Sequence, residues 1–268
     1  VNADVEYTPN ATHALKGGAR WSTLSFELRE AFDDSLRFDQ NLRGRQAALY
    51  LQDTYTPTDA WTVEAGLRGS YFSRGGFWRV SPRLSVEYAA SPSVRVQAAY
   101  GRYHQYLTLE TSQLFTGFDT WLMTDRGVPP SSSNQLAVGV TAQVGEAWRA
   151  EVEAYGRTLS DLFREDPFSR DEAGAPYAER FQFGKGRAYG LEVLLRRQSG
   201  RLTGLLSYTL GRTERRFPNL NESADGTPQY YTPKYDRTHD LTVVGNYRLS
   251  DAWRLTGTFS YSTGQPYT

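Results

Sequence analysis

The sequence predicts an all-β fold, a transmembrane antiparallel up-and-down β-barrel, and three observations support this prediction. Apolar and polar residues alternate with a period of two, as between Leu241 and Leu249, which is the spacing of a strand with one buried face. Most alternating segments are at least about 9–11 residues long, the length of a tilted strand that crosses a bilayer. Short turns alternate with long polar connections, which is typical of outer-membrane barrels.

The alternation divides the chain into about twelve predicted strands. They lie near residues 2–8, 13–26, 44–56, 60–73, 77–89, 93–105, 133–144, 147–159, 184–198, 201–213, 237–249 and 252–263. The long polar connections are residues 27–43, 106–132, 160–183 and 214–236. The link at Gly75 and Gly76 is a short exception on the long-loop side.

Aromatic residues recur at two levels along the predicted strands. The first level follows three short turns and consists of Trp61, Trp148 and Trp253; the second consists of Tyr71, Tyr100, Tyr208 and Tyr261. The eight steps from Trp253 to Tyr261 span about 26 Å of strand at roughly 3.3 Å per residue. Tilted, this distance approaches the roughly 25 Å apolar band of an outer-membrane barrel. We therefore expect two interface girdles in contact with outer-membrane lipid.

Charged residues within the strands fall opposite the apolar stripe. They are Arg95, Arg149, Glu151, Glu153, Glu192, Arg248 and Arg254. An arginine facing lipid at the bilayer midplane would cost about 2–4 kcal/mol, so the polar face is predicted to line the lumen.

Composition narrows the range of functions. The chain contains 268 residues and no cysteine, which excludes disulfides and thiol catalysis. Its formal net charge is zero, so no overall basic excess indicates a nucleic-acid partner. We find no long apolar run for a membrane helix, no signal peptide at Val1, no phosphate-binding loop and no recognisable catalytic serine motif. The sequence thus predicts no enzyme and no cofactor.

Several segments, in order, resemble the barrel of TonB-dependent receptors. They are Tyr50–Tyr55 with Gly66–Arg68, Gly186–Val193 with Leu206–Leu210, and Tyr235–Leu241 with Tyr261–Thr268. The resemblance implies a barrel of about 22 strands around an N-terminal plug. It also implies import of a scarce ligand, such as an iron chelate, cobalamin or a glycan, with energy from the TonB system. Because we see neither a plug nor a terminal aromatic residue, we expect residues 1–268 to form part of the barrel domain, with both chain ends outside the cell.

Large aromatic residues in two long connections are candidate ligand contacts. They are Phe115, Phe118 and Trp121, beside Met123, and Tyr230, Tyr231 and Tyr235. Large apolar side chains in polar loops tend to be buried against a partner, and a small-molecule or oligosaccharide ligand would be one such partner. Packing between loops and a place in the outer girdle are the alternatives.

Histidines and acidic residues give weaker indications of metal binding. His104 and His239 could contact a metal or chelate at the rim, or could be hydrogen-bonded to neighbours. The acidic residues of loop 160–183 could ligate calcium, but their spacing matches no calcium loop, and a solvated loop accounts for them. We therefore predict no metal site.

Two other protein classes compete with the import receptor. An autonomous twelve-stranded barrel, acting as a channel or membrane enzyme, would have an allowed strand number. A soluble propeller or solenoid is the other alternative, but its blades would need shorter strands and a more regular repeat.

Overall fold

The computed structural model describes residues 1–32, 35–111, 119–166 and 177–266. The strands are β1 (Asn2–Asn10), β2 (His13–Phe32), β3 (Ser35–Thr58), β4 (Trp61–Phe72), β5 (Phe77–Ser91), β6 (Val94–Gln105), β7 (Leu107–Thr111), β8 (Asp119–Met123), β9 (Ser131–Val144), β10 (Trp148–Glu165), β11 (Phe181–Arg197), β12 (Leu202–Arg216), β13 (His239–Arg248) and β14 (Arg254–Ser262). One turn of 3-10 helix spans Tyr177–Arg180. In these described ranges, no helix is long and apolar enough to cross a membrane.

Twelve strands form one antiparallel sheet in which neighbours in the chain are neighbours in space. The order is β1-β2-β3-β4-β5-β6-β9-β10-β11-β12-β13-β14, and β7 and β8 form a separate hairpin between β6 and β9. Within the described chain the sheet is open, with β1 and β14 at its edges. The predicted all-β, up-and-down architecture is therefore confirmed.

The register separates an apolar face from a polar face. Leu206 pairs with Val243, which pairs with Phe259, whereas the next row joins Ser207, Thr242 and Ser260. Because facing residues in a sheet project to the same side, each row belongs to one face. The charged residues named from the sequence follow the polar rows, as where Glu153 pairs with Glu192 and Arg248 with Arg254. The predicted division between the two faces is confirmed.

Three of the predicted connections contain more regular structure than expected. Residues 27–43 are largely a continuation of the β2–β3 hairpin, residues 106–132 contain the β7–β8 hairpin, and β10 continues to Glu165. The alternation of apolar and polar residues does not predict these extensions, because its phase reverses near the long-loop end. There Leu24, Phe26 and Leu42 lie on the polar face, opposite the side that carries Trp21. This reversal is possible because other parts of the chain cover the polar face at that end.

The covering segments and the strand ends share one buried cluster, which we call the loop core. It consists of Leu42, Phe72, Tyr106, Leu122, Met123, Val128, Phe163, Tyr177 and Phe181, all at most 9% exposed. The Phe72 and Tyr106 rings stack with centroids 4.8 Å apart, and Tyr177 meets Phe181 edge-on at 4.9 Å. The sheet therefore has its buried core at the long-loop end.

Candidate ligand-binding surface

The segment between β6 and β9 folds across the polar face of the sheet. Gly44 lies on that face, and a Cβ added there would lie 3.2 Å from the sulfur of Met123 and 2.6 Å from the ring of Phe72. Tyr106 and Ser70 hydroxyls lie 2.8 Å apart, and the backbone N–H of Thr124 donates to the carbonyl of Tyr106. The close approach that Gly44 allows brings the β7–β8 hairpin against β3 and β4.

Two polar contacts fix the far side of this hairpin. Arg74, in the β4–β5 turn, forms an ion pair with Asp125 at 2.8 Å. The backbone N–H of Met123 donates to the Tyr177 hydroxyl at 3.1 Å. Burial raises the pKa of Tyr177 to about 12, so the phenol stays neutral at physiological pH. The hairpin is thereby tied to the β4–β5 turn and to the 3-10 turn before β11.

Within the described part of the hairpin, one large aromatic side chain is open to solvent. Trp121 on β8 is 50% exposed and pairs with Leu109, which is also exposed, while Leu122 and Met123 are buried in the loop core. Met123 thus packs between loops, as the alternative interpretation of this cluster expected. Phe115 and Phe118 lie outside the described residues.

The second predicted group lies on a segment that extends the edge of β12. Past the last β13 pair, the N–H of Gly211 donates to the carbonyl of Thr238, and the N–H of Thr213 donates to Asp236 Oδ1. Further along, Arg215 and Tyr231 exchange two backbone hydrogen bonds. These bonds satisfy the edge of β12 and hold the tyrosines beside it.

Tyr230 and Tyr235 contact different faces of the sheet, whereas Tyr231 is placed by its backbone bonds to Arg215. Tyr230 lies against Arg187 and Arg216, with guanidinium carbons 4.3 and 5.2 Å from its ring centroid. Tyr235 lies against Arg215, at 5.2 Å. The register assigns Arg187 and Arg216 to the apolar face and Arg215 to the polar face. The predicted group is therefore divided, with Tyr235 on the polar-face side and Tyr230 on the other.

An ion-pair network on β11 and β12 was not anticipated from the sequence. The buried Glu214 carboxylate accepts hydrogen bonds from Arg187 and Arg212. The period-two spacing of Arg212, Glu214 and Arg216 was a usable signal, since it places all three on one face.

The residues predicted to form girdles lie along the apolar rows. Exposed members are Trp61, Trp148, Trp253, Tyr100 and Tyr261; Tyr71 and Tyr208 are partly buried. Further aromatic residues join them, since Trp61 stacks on Tyr88 at 4.4 Å and Tyr71 meets Trp78 at 4.8 Å. Their role at a membrane interface stays a prediction.

The two rim histidines have hydrogen-bond partners. His104 Nδ1 lies 3.1 Å from the Ser81 hydroxyl, and His239 Nδ1 lies 2.8 Å from the Tyr208 hydroxyl. In the ranges that the structure describes, no three His, Cys, Asp or Glu side chains are grouped to hold a metal ion. The hydrogen-bonded interpretation of these histidines therefore fits the observed contacts.

Solved structures share this architecture at low sequence identity. They include the siderophore receptor PirA from Acinetobacter baumannii (TM-score 0.64, 13% identity, 97% of this chain and 41% of that chain). The alcaligin outer membrane receptor FauA from Bordetella pertussis has a TM-score of 0.64 and 16% identity, and the match covers 98% of this chain and 45% of that chain. The ferric enterobactin receptor PfeA from Pseudomonas aeruginosa, in complex with enterobactin, has a TM-score of 0.66 and 15% identity, and the match covers 97% of this chain and 40% of that chain. The present chain thus spans less than half the length of these proteins.

Sequence comparison identifies the family directly. No curated protein matches the chain. The family model described as TonB dependent receptor-like, beta-barrel, matches residues 2–268. This match covers nearly the whole chain and agrees with the sheet order and with the solved structures. The chain belongs to the TonB-dependent receptor family, within its β-barrel domain.

Proposed function

We propose that this chain is part of an outer-membrane importer that takes up a scarce ligand of the siderophore, cobalamin or glycan class. The observation that carries the proposal is the β7–β8 hairpin, which is packed over the polar face and presents Trp121 outward. A hairpin held by a buried core can present an aromatic side chain in a fixed position, which lowers the entropy cost of binding. The named functions of PirA, FauA and PfeA favour the siderophore class.

The ligand contacts that we propose are aromatic residues of the long connections. Trp121 and Tyr235 have described exposure of 50% and 52%. Phe115, Phe118, Tyr230 and Tyr231 complete the set proposed from the sequence. Burial raises the pKa of Tyr235, so its phenol is available as a neutral hydrogen-bond donor. Aromatic rings with a polar edge suit ligands that combine flat faces with oxygen atoms.

The membrane and the energy source complete the proposal. Trp61, Trp148, Trp253, Tyr71, Tyr100, Tyr208 and Tyr261 would form the two lipid girdles of an outer-membrane barrel. Energy would come from TonB through a plug domain encoded outside this 268-residue segment. The polar face would then surround the plug and the path of the ligand.

Uptake by whole cells tests the ligand contacts. The full-length protein is expressed in cells that lack their own importers, and uptake of a ferric catecholate chelate, cyanocobalamin and an oligosaccharide is measured. For the probe that is taken up, Trp121→Ala or Tyr231→Ala should weaken binding about tenfold, as for an aromatic residue at a binding hot spot. Trp78→Ala, an exposed residue of the apolar face, is the matched control. Unchanged uptake in both loop variants would refute the proposal that Trp121 and Tyr231 contact the ligand.

The size of the native protein separates this proposal from an autonomous barrel. An antibody to this segment is applied to isolated outer membranes. A band much larger than the 268-residue segment is expected, because an importer needs further strands and a plug. A band of the segment's own size would instead favour a self-contained channel or membrane enzyme. Passive conductance in planar bilayers, without TonB, would then be the decisive measurement.

A further inference from the structure

The apolar face ends in a basic patch at the long-loop end of β11 and β12. Tyr189 pairs with Arg212, Arg187 pairs with Glu214, and Lys185 pairs with Arg216, all on the face that carries Leu191 and Leu210 lower down. We call Lys185, Arg187, Arg212 and Arg216 the basic patch. It holds four cations around one carboxylate, Glu214, which gives a local net charge of +3.

The three arginines of the patch are held in place by contacts with neighbouring residues. Glu214 is buried and bonds both Arg187 and Arg212, whose side chains remain 48% exposed. Tyr230 lies against Arg187 and Arg216, and Arg212 Nη2 also donates to the Thr232 hydroxyl at 3.3 Å. Two guanidinium groups are thus fixed side by side with part of each group open, an arrangement suited to an anion with several oxygens.

The height of the patch indicates which anion it meets. Arg187 lies two residues beyond the aromatic ring of Tyr189, or about 7 Å along the strand. If the apolar face contacts the hydrocarbon layer and Tyr189 the interface, Arg212 lies at the interface beside Tyr189, and Arg187 reaches the headgroup layer. We propose that the basic patch binds the phosphate groups of a phosphorylated lipid headgroup in the outer leaflet. The lipid chains would lie along the apolar face directly below.

This site is separate from the proposed ligand surface. Arg215 and Tyr235 lie towards the polar face, whereas the basic patch lies on the apolar face. Among the proposed ligand contacts that the structure describes, Tyr230 touches the patch directly. Loss of lipid binding and loss of uptake can therefore be measured independently, and either proposal can fail alone.

Lipid binding to the purified full-length receptor tests the proposal. The receptor in neutral detergent is titrated with diphosphoryl lipid A, the same lipid without phosphates, and inorganic phosphate, and binding is followed by native mass spectrometry. The test variant is Lys185→Gln with Arg216→Gln, which leaves the Glu214 network intact. Arg157→Gln is the matched control, because Arg157 pairs with Ala188 at the level of Arg187 but on the polar face.

The expected result is preference for the phosphorylated lipid, weakened by the double variant. Each cation near a lipid surface contributes about 1 kcal/mol, so two changes should lower the affinity about 25-fold. Arg157→Gln should bind as the wild type does, and Arg216→Lys should keep most of the affinity because the charge remains. If the double variant does not fold, Lys185→Gln alone should lower the affinity about fivefold.

Three outcomes would overturn the proposal. The first is equal binding of the lipids with and without phosphates. The second is equal loss in Arg157→Gln and the patch variants, which would indicate general charge attraction. The third is displacement of the lipid by inorganic phosphate at low concentration, which would assign the patch to a free anion.

Discussion

The hydroxyl groups of Ser70 and Tyr106 lie 2.8 Å apart inside the loop core, where both side chains are almost fully buried. Ser70 belongs to β4, and Tyr106 is the residue between β6 and the β7–β8 hairpin. The bond therefore joins the wall of the sheet to the base of the hairpin. It gives each of the two hydroxyl groups a hydrogen-bond partner, which they would otherwise lack in the buried core.

Removing this bond should loosen the hairpin without unfolding the sheet. Tyr106→Phe leaves the Ser70 hydroxyl buried and unpaired, which costs about 1–3 kcal/mol. Hydrogen exchange of the β7 and β8 amides should accelerate by about tenfold or more, since local opening governs such exchange. Tyr103→Phe is the control, because Tyr103 is 37% exposed. Equal exchange in the two variants would show that the bond does not stabilise the hairpin.

The loop core should contribute more to stability than any exposed apolar residue. Phe72 is fully buried and stacks on Tyr106, so Phe72→Ala should lower the free energy of unfolding by about 3–5 kcal/mol. Leu49→Ala, at a residue 70% exposed on the apolar face, leaves no buried cavity and should cost much less. Denaturant unfolding in detergent measures both. Similar losses would mean that the loop core is not a tightly packed unit.

The two faces of the sheet can be distinguished by adjacent substitutions. Val243 shares the apolar row with Leu206 and Phe259, and Val244 shares the opposite row with Leu205 and Thr258. In lipid vesicles, Val243→Arg should cost about 2–4 kcal/mol, because it places a charge in hydrocarbon. Val244→Arg should be tolerated, since the polar face meets water or protein. The reverse ranking would invert our assignment of the lipid-facing side.

The loop core should also be sensitive to alkaline pH through Tyr177. Its pKa is raised to about 12 from the usual value of 10, so the folded hairpin favours the neutral phenol. The stabilising contribution is complete below about pH 10 and is lost as the pH rises through about 12. A tyrosinate absorbance titration of the wild type, compared with Tyr177→Phe, should show one phenol that ionises about two pH units late; no such difference would refute the prediction.

The alternation of residue types predicted the sheet well, because each strand must separate an apolar face from a polar one along its whole membrane-crossing part. The rows through Val243 and Thr242 show this directly. Prediction was poorer at the long-loop end. There Leu24 and Phe26 turn towards the polar face, and whether that is favourable depends on the distant residue Met123. Such a long-range contact leaves no period in the local sequence.

The candidate site was predictable only in part. Trp121 and the tyrosines are recognisable as large aromatic residues in polar connections, but their partners depend on strand register. Arg187 meets Glu214 because β11 and β12 pair with that particular alignment, 27 residues apart in the chain. Knowledge of the alignment was also needed to separate Tyr230 from Tyr235, since the faces of Arg215 and Arg216 differ.

The β8 strand contains residues under two different packing constraints. Leu122 and Met123 are fixed by the volume of the loop core, so few substitutions would fit there. Trp121 and its partner Leu109 are exposed, so they can change without disturbing the fold. The exposed positions of this hairpin can therefore vary while its anchoring residues stay the same.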